Sequence, residues 1–286
     1  MSNSEDIKLI FFGDITGRQG RIAVKDYIAS LETKPDFIIA NIENASHGFG
    51  MTKKNYEELA DAGINCFTSG NHIWDKKDIY EYIDDAENLI RPINYPAETK
   101  GKGAAVFEIN GQKLAVINAL GRVFMPPIDS PWTVVTEEIE KLINDGVEHI
   151  IIDFHAEATA EKICFAKYLA KKYNTEQNAL IKCFAGTHTH VQTADEKIME
   201  GMAYITDAGF CGAEDSVIGM EFETSLRRLI TSLPERYEIA NSSIAQVNGI
   251  EVLINRTKSV QIKRINVLVD NERGKVDGLE DSLISC

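Results

Sequence analysis

The feature of this chain that most restricts its fold is a recurring unit. A short, almost wholly apolar run is followed by a polar cluster and then by an amphipathic stretch. Residues 7–13, 37–40, 64–68, 149–154, 179–185 and 202–207 are such runs. Strands buried on both faces read this way. The amphipathic stretches, about 18–31, 52–62, 75–84, 134–145, 160–173 and 221–232, predict helices, the third capped by Asp75. Strand and helix in alternation imply an α/β fold with a largely parallel sheet. The middle of the chain is more β-like, with 104–109 and 113–118 flanking the hairpin signal Asn110-Gly111. Pro126-Pro127 and Pro131 mark an irregular loop, and two further strands are expected at about 243–255 and 259–269. We therefore expect a single domain over 1–286, with two sheets face to face, helices outside, and a loose tail over about 277–286.

Composition narrows the partners. The formal net charge is −14. A surface of that sign is not built to grip long nucleic acid or an anionic membrane. No apolar run is long enough to span a bilayer, and the polar, acidic start is not a signal peptide. The five cysteines are scattered and form no CxxC pair. A reduced, cytoplasmic setting is the expectation.

The polar clusters carry the chemistry. Ligands of open α/β sheets gather beyond the carboxyl ends of the strands. There the chain offers Asp14, Glu43, Asn44, Asn71, His72, His155, His188 and His190. On an extended segment, residues i and i+2 share a face, so His188 and His190 are expected to point the same way. Taken singly, each residue is more ordinary. Asp14 reads as a turn residue, Glu43-Asn44 as loop polarity, Asn71-His72 as a turn and His155 as a satisfied histidine. That all of them coincide at successive strand ends favours a site. Oxygen and imidazole donors without thiolate suit divalent manganese, iron or zinc. Seven or eight donors exceed the needs of one ion and suit two ions sharing a carboxylate. His47 lies in a loop near these residues and is a candidate substrate contact. His149 is expected to face solvent.

Gly13-Asp14, Gly70-Asn71-His72, His155 and Gly186-Thr-His-Thr-His190 resemble the motifs of the calcineurin-like metallophosphoesterase superfamily. Two positions depart from that pattern. Thr16 stands where the first motif has histidine, and Glu43-Asn44 stands where aspartate is usual. Both departures match the narrower YmdB-like bacterial phosphodiesterases. So do 42–48 (IENASHG), 69–79, 91–96, Gly121-Arg122, 152–159, 186–196 and 203–209. The resemblance spans nearly the whole chain. It implies a four-layered α/β/β/α sandwich and two divalent ions, iron or manganese before zinc. One ion would be held by Asp14, Glu43, Asn44 and His190, the other by Glu43, Asn71, His155 and His188. Asn44 would replace the missing histidine.

The family activity is hydrolysis of phosphodiesters, notably cyclic nucleotides, 2′,3′ or 3′,5′. A water shared by the ions would be acidified to hydroxide and attack phosphorus, while His72, beside Asn71, would protonate the leaving alkoxide. Two other readings are an RNA or dinucleotide phosphodiesterase, which the acidic surface disfavours, and a regulatory scaffold that binds metal or nucleotide without turnover. A mere binder has no use for an acid at position 72. Homo-oligomerisation stays open.

Overall fold

The computed structural model describes residues 6–175, 179–255, 257 and 259–278. In chain order the elements are β1 (Ile7–Phe12), β2 (Asp14–Ile15), α1 (Gly17–Ser30), β3 (Phe37–Asn41), α2 (Lys53–Asp61), β4 (Cys66–Thr68) and α3 (Ile79–Tyr82). The middle contributes β5 (Ala104–Ile109), β6 (Gln112–Leu120), α4 (Pro131–Asn144), β7 (His149–His155), α5 (Thr159–Tyr173) and β8 (Ile181–Thr187). The remainder is β9 (Lys197–Met199), β10 (Met202–Ile205), β11 (Phe210–Ala213), α6 (Phe222–Thr231), β12 (Ile244–Ile254), β13 (Val260–Asp270) and β14 (Lys275–Gly278).

Two sheets pack face to face, with helices on their outer faces, which makes the four-layered α/β/β/α sandwich. The first sheet runs β14-β13-β12-β1-β3-β4, with β11 also pairing β12 and β2. The second runs β5-β6-β7-β8-β10-β9. Strand periodicity explains the layering. Leu9 and Phe11 of β1 face the second sheet, where Val116, Ile151 and Cys183 meet them. Their neighbours Ile10 and Phe12 face outward against Ala23, Val24 and Ile28 of α1. The outer face of the second sheet buries Ile152, Phe154 and Phe184 against Ile139 of α4 and Phe165 of α5. Each fully buried side chain of this size contributes roughly 1.5–3 kcal/mol.

The parallel pairs β1·β3, β3·β4, β6·β7 and β7·β8 bring the carboxyl ends of their strands to one edge of the sandwich. Polar ties join the two sheets at that edge. Asn41 Nδ2 donates to Asp153 Oδ2 at 2.9 Å, and Ser69 N donates to Asn118 Oδ1 at 3.2 Å.

Several expectations need correction. The helix predicted over 75–84 shrinks to the single turn of α3, and the Asp75 carboxylate expected to cap it meets His72 Nδ1 instead. Pro131 does not precede α4 in a loop but opens it, where its fixed φ suits the first helical position. His149 is buried rather than solvated, and its Nε2 lies 2.8 Å from Gln112 Oε1 on the neighbouring strand. The hairpin at Asn110-Gly111 forms with positive φ at both residues, 51° and 76°. The short strands β2, β9, β11 and β14 went unpredicted. The expected tail from 277 begins within β14, and its remainder from 279 lies outside the described residues. Among the described residues, no helix is long and apolar enough to cross a membrane.

Candidate metal centre

The strand ends converge on two overlapping groups of donors. In one, atoms of Glu43, His155 and His188 all lie within 4.8 Å of one another; in the other, atoms of Asp14, Glu43 and His190 do. Glu43 belongs to both. It, Asp14, Asn44 and His155 are almost entirely buried.

Hydrogen bonding around the rim determines which atoms face inward. Thr187 Oγ1 donates to Asp153 Oδ1 at 2.7 Å. Its one proton is thereby used, so it accepts from His155 Nδ1–H at 2.9 Å. His155 Nε2 is left facing Glu43 Oε1 and His188 Nδ1, each at 3.1 Å. His188 Nε2 lies 3.2 Å from the Glu157 carboxylate, which can only accept, so the bare nitrogen of His188 is Nδ1. His190 Nδ1 donates to the Ile218 carbonyl at 2.9 Å. The other nitrogen, Nε2, therefore faces Asn44 Oδ1, another acceptor, at 3.2 Å. Asn44 Nδ2 is spent on Gly48 O at 2.8 Å, which settles the amide orientation.

The carboxylates receive some backbone donors, but two of the acceptors in this region have none to match them. Asp14 Oδ1 and Asn71 Oδ1 are buried and have no hydrogen-bond partner. Buried acceptors left unpaired cost about 1–3 kcal/mol each. A cation is the species that satisfies such a set, so these residues fit divalent metal. Gly70 allows the close approach, since a Cβ there would lie 2.2 Å from Glu43 Oε2 and 2.3 Å from His155 Nε2.

The titration behaviour follows from this crowding. Burial alone would depress His155, but Glu43, then Asp14 and Asp153, outweigh it and push the imidazole up to about 9. Glu43 is held down to about 2, against its burial, by His155 and His72. Burial and the neighbouring His155 push His188 down to about 3. Burial raises Asp14.

Of the seven residues expected to hold metal, Asp14, Glu43, Asn44, His155, His188 and His190 meet here, and Asn71 follows Gly70, which abuts Glu43 and His155. The shared-face expectation for His188 and His190 is overturned. β8 ends at Thr187, and both histidines have positive φ, 100° and 60°. The chain turns between them and delivers one imidazole to each group. His72 sits at the rim, partly exposed, with Nδ1 2.9 Å from Asp75 Oδ2 and its ring edge-on to Phe49. His47 is exposed and lines a separate hollow with Arg18 and Arg21 rather than the cleft over the donors. The loop closed by Asn44 Nδ2 on Gly48 O carries it there.

Sequence reasoning missed the residues that hold the donors in place. Asn41 receives Glu43 N and donates to both Ser69 O and Asp153, linking three strand ends. The buried pair Lys162–Asp207, 2.7 Å apart, anchors the turn through Thr189, whose backbone N and hydroxyl both reach Asp207. Nothing in the sequence pairs such residues, which lie far apart in the chain.

A cleft of about 320 Å³ opens above the donors. Glu43, Asn44, His188 and His190 form its floor, and Phe49 and Ile218 are among the apolar residues of its walls.

Comparison with known proteins agrees with this geometry. The family model described as YmdB-like protein matches residues 10–265. A Bacillus subtilis (strain 168) protein named 2′,3′-cyclic-nucleotide 2′-phosphodiesterase is 43% identical over 270 residues, which are 93% of this chain and 98% of that protein. A crystal structure of a phosphatase from Mycoplasma pneumoniae superposes with a TM-score of 0.84 at 36% identity, covering 95% of this chain and 96% of that one. A 5′-nucleotidase precursor from Thermus thermophilus shares the fold alone, at a TM-score of 0.51 and 13% identity over 93% of this chain and 55% of its own.

Proposed function

The chain belongs to the YmdB-like family, and from that premise we propose that it is a metal-dependent phosphodiesterase acting on cyclic nucleotides, 2′,3′-cyclic nucleotides first and 3′,5′-cyclic nucleotides second. The observation that carries this reading is the buried cluster of acceptors and imidazoles, in which two acceptors have no partner and Glu43 is common to both groups. Asp14, Glu43, Asn44 and His190 would hold one divalent ion, and Glu43, Asn71, His155 and His188 the other. Iron or manganese suits this mixture of oxygen and imidazole, with zinc next. Bound there, the ions would supply an activated water and offset charge on the phosphoryl oxygens.

The chain's own residues do the rest. Burial of Asp14, Glu43, Asn44 and His155 keeps bulk water from the floor of the cleft. Asp14 Oδ2 accepts from His188 N, and Glu43 Oε2 from His72 N, so both carboxylates are oriented by backbone before any ligand arrives. His72 stands at the rim with Nδ1 against Asp75, which leaves Nε2 to protonate a departing ribose oxygen. The Bacillus protein's name supports the 2′,3′-cyclic class. A single domain and a cytoplasmic setting complete the proposal.

Steady-state hydrolysis of 2′,3′-cyclic and 3′,5′-cyclic AMP by metal-loaded and chelator-treated protein tests it. Turnover of the 2′,3′ isomer that is lost on chelation and regained with manganese or iron is expected. Metal-loaded protein that turns over neither isomer would sink the proposal.

A further inference from the structure

One wall of the cleft is more elaborate than phosphate binding requires. Val217 and Met220 pair antiparallel, N to O at 2.8 and 2.9 Å, around the two-residue turn Ile218-Gly219. Both turn residues have positive φ, 48° and 96°. That geometry favours Asn, Asp or Gly, and a β-branched residue in it is an outlier. The strained residue has two engagements. Its carbonyl receives His190 Nδ1–H, and its side chain, 47% exposed, lines the cleft. Met220, Leu229 and Tyr237 continue the same lining, and Phe49 contributes an aromatic ring from the loop after β3. Leu229 is 77% exposed although it belongs to the lining, so the wall is open and apolar at once. The polar atoms on it are few. Ser225 Oγ already donates to Glu221 O, and Arg228 lies over the Tyr237 ring at 4.6 Å.

We propose that this wall, Ile218, Met220, Leu229 and Tyr237 with Phe49, seats the nucleobase of the substrate. It would recognise the base by its flat apolar faces rather than by its hydrogen-bonding edges. The proposal rests on the cyclic-nucleotide reading above and adds a consequence. A phosphate alone would be met by the metal-loaded floor and gains nothing from hydrocarbon beside it. A planar aromatic group attached to that phosphate gains burial and stacking at the wall, and every base has such a face. The protein should therefore distinguish the presence of a base from its absence, and one base from another only weakly.

The test compares the manganese-loaded protein on the 2′,3′-cyclic phosphates of adenosine, guanosine, cytidine and uridine with methyl riboside 2′,3′-cyclic phosphate, which has no base. The four nucleotides should agree in kcat/KM to within about fivefold and exceed the methyl riboside by about tenfold or more. Ile218→Asn keeps the backbone carbonyl and suits the turn, so manganese content and Tm should not fall. KM for the nucleotides should rise about tenfold while KM for the methyl riboside moves little. Leu229→Ser, at a site too exposed to matter for folding, should act in the same direction. Calorimetry supplies a readout without turnover. Both variants should bind adenosine 3′-monophosphate more weakly and inorganic phosphate as the parent does. Nucleotides turned over no better than the methyl riboside, or variants that leave nucleotide KM and binding unmoved, would overturn the base wall alone. Absence of turnover on all five substrates would overturn the 2′,3′-cyclic-nucleotide reading and the wall with it.

Discussion

Replacing Thr187 by valine should weaken metal binding without touching a single ligand. Valine matches threonine in shape, so β8 and its packing persist. What goes is one hydroxyl that donates to Asp153 Oδ1 at 2.7 Å and accepts from His155 Nδ1 at 2.9 Å. His155 is fully buried, so its Nδ1–H has no water to turn to. The imidazole then either keeps an unsatisfied buried donor, at about 1–3 kcal/mol, or moves its proton to Nε2, the atom that faces Glu43. Either way the nitrogen aimed at the centre is less available. Loss of a group that orients a metal-bound histidine typically costs 10–100-fold in affinity, about 1.4–2.7 kcal/mol, which agrees with the hydrogen-bond figure. Competition of Thr187→Val against a chelator of known manganese affinity measures this directly. Thr187→Ser retains the hydroxyl and should recover most of the loss. Equal manganese affinity in parent and valine variant would show that Thr187 does not set the imidazole, and the assignment of its inward nitrogen would fall.

Four further outcomes follow from the same geometry. Gly70→Ala forces a Cβ to within 2.2 Å of Glu43 Oε2 and 2.3 Å of His155 Nε2, so metal content should collapse in the purified variant; two retained ions would contradict the packing. Thr16 Oγ1 turns away to Asp14 O at 3.3 Å, so Thr16→Ala should keep both ions, whereas Asn44→Ala should lose one, as counted by elemental analysis. Lys162→Met leaves Asp207 buried without its cation, which should lower unfolding stability by about 3–5 kcal/mol in a urea titration. His72→Ala should retain metal and lose roughly 10²–10⁴-fold in kcat on cyclic nucleotides but far less on bis(p-nitrophenyl) phosphate, whose leaving group needs no proton; equal losses at full occupancy would remove His72 from the acid role.

The strand ends were legible because burial and chemistry pull in opposite directions there. A run such as residues 37–40 must be interior, so the abrupt change to Glu43 and Asn44 stands out against it. The layering was legible for the same reason, since strands apolar on both faces need cover on both. The two histidines of the HxH spacing do reach the two donor groups, but not by the extended geometry the spacing suggests. Positive φ at His188 and His190 breaks the extended chain, and no residue pattern announces that break. Asn41, Asp153, Thr187 and Glu157 stayed hidden because they orient other side chains and carry no spacing signal of their own. Asn41 reaches Asp153 across 112 positions of sequence. Ile218 was hidden more deeply, since an isoleucine in a turn that favours Asn or Gly is the opposite of what a turn signal looks like.

The central claim is a two-ion centre in which Glu43 is shared and on which phosphodiester hydrolysis depends. Titrating chelator-treated protein with manganese while following 2′,3′-cyclic AMP hydrolysis tests it most directly. Turnover should stay near background through the first equivalent and reach its plateau at two equivalents, and Glu43→Gln should never reach that plateau. A plateau at one equivalent, or full turnover by Glu43→Gln, would contradict the account.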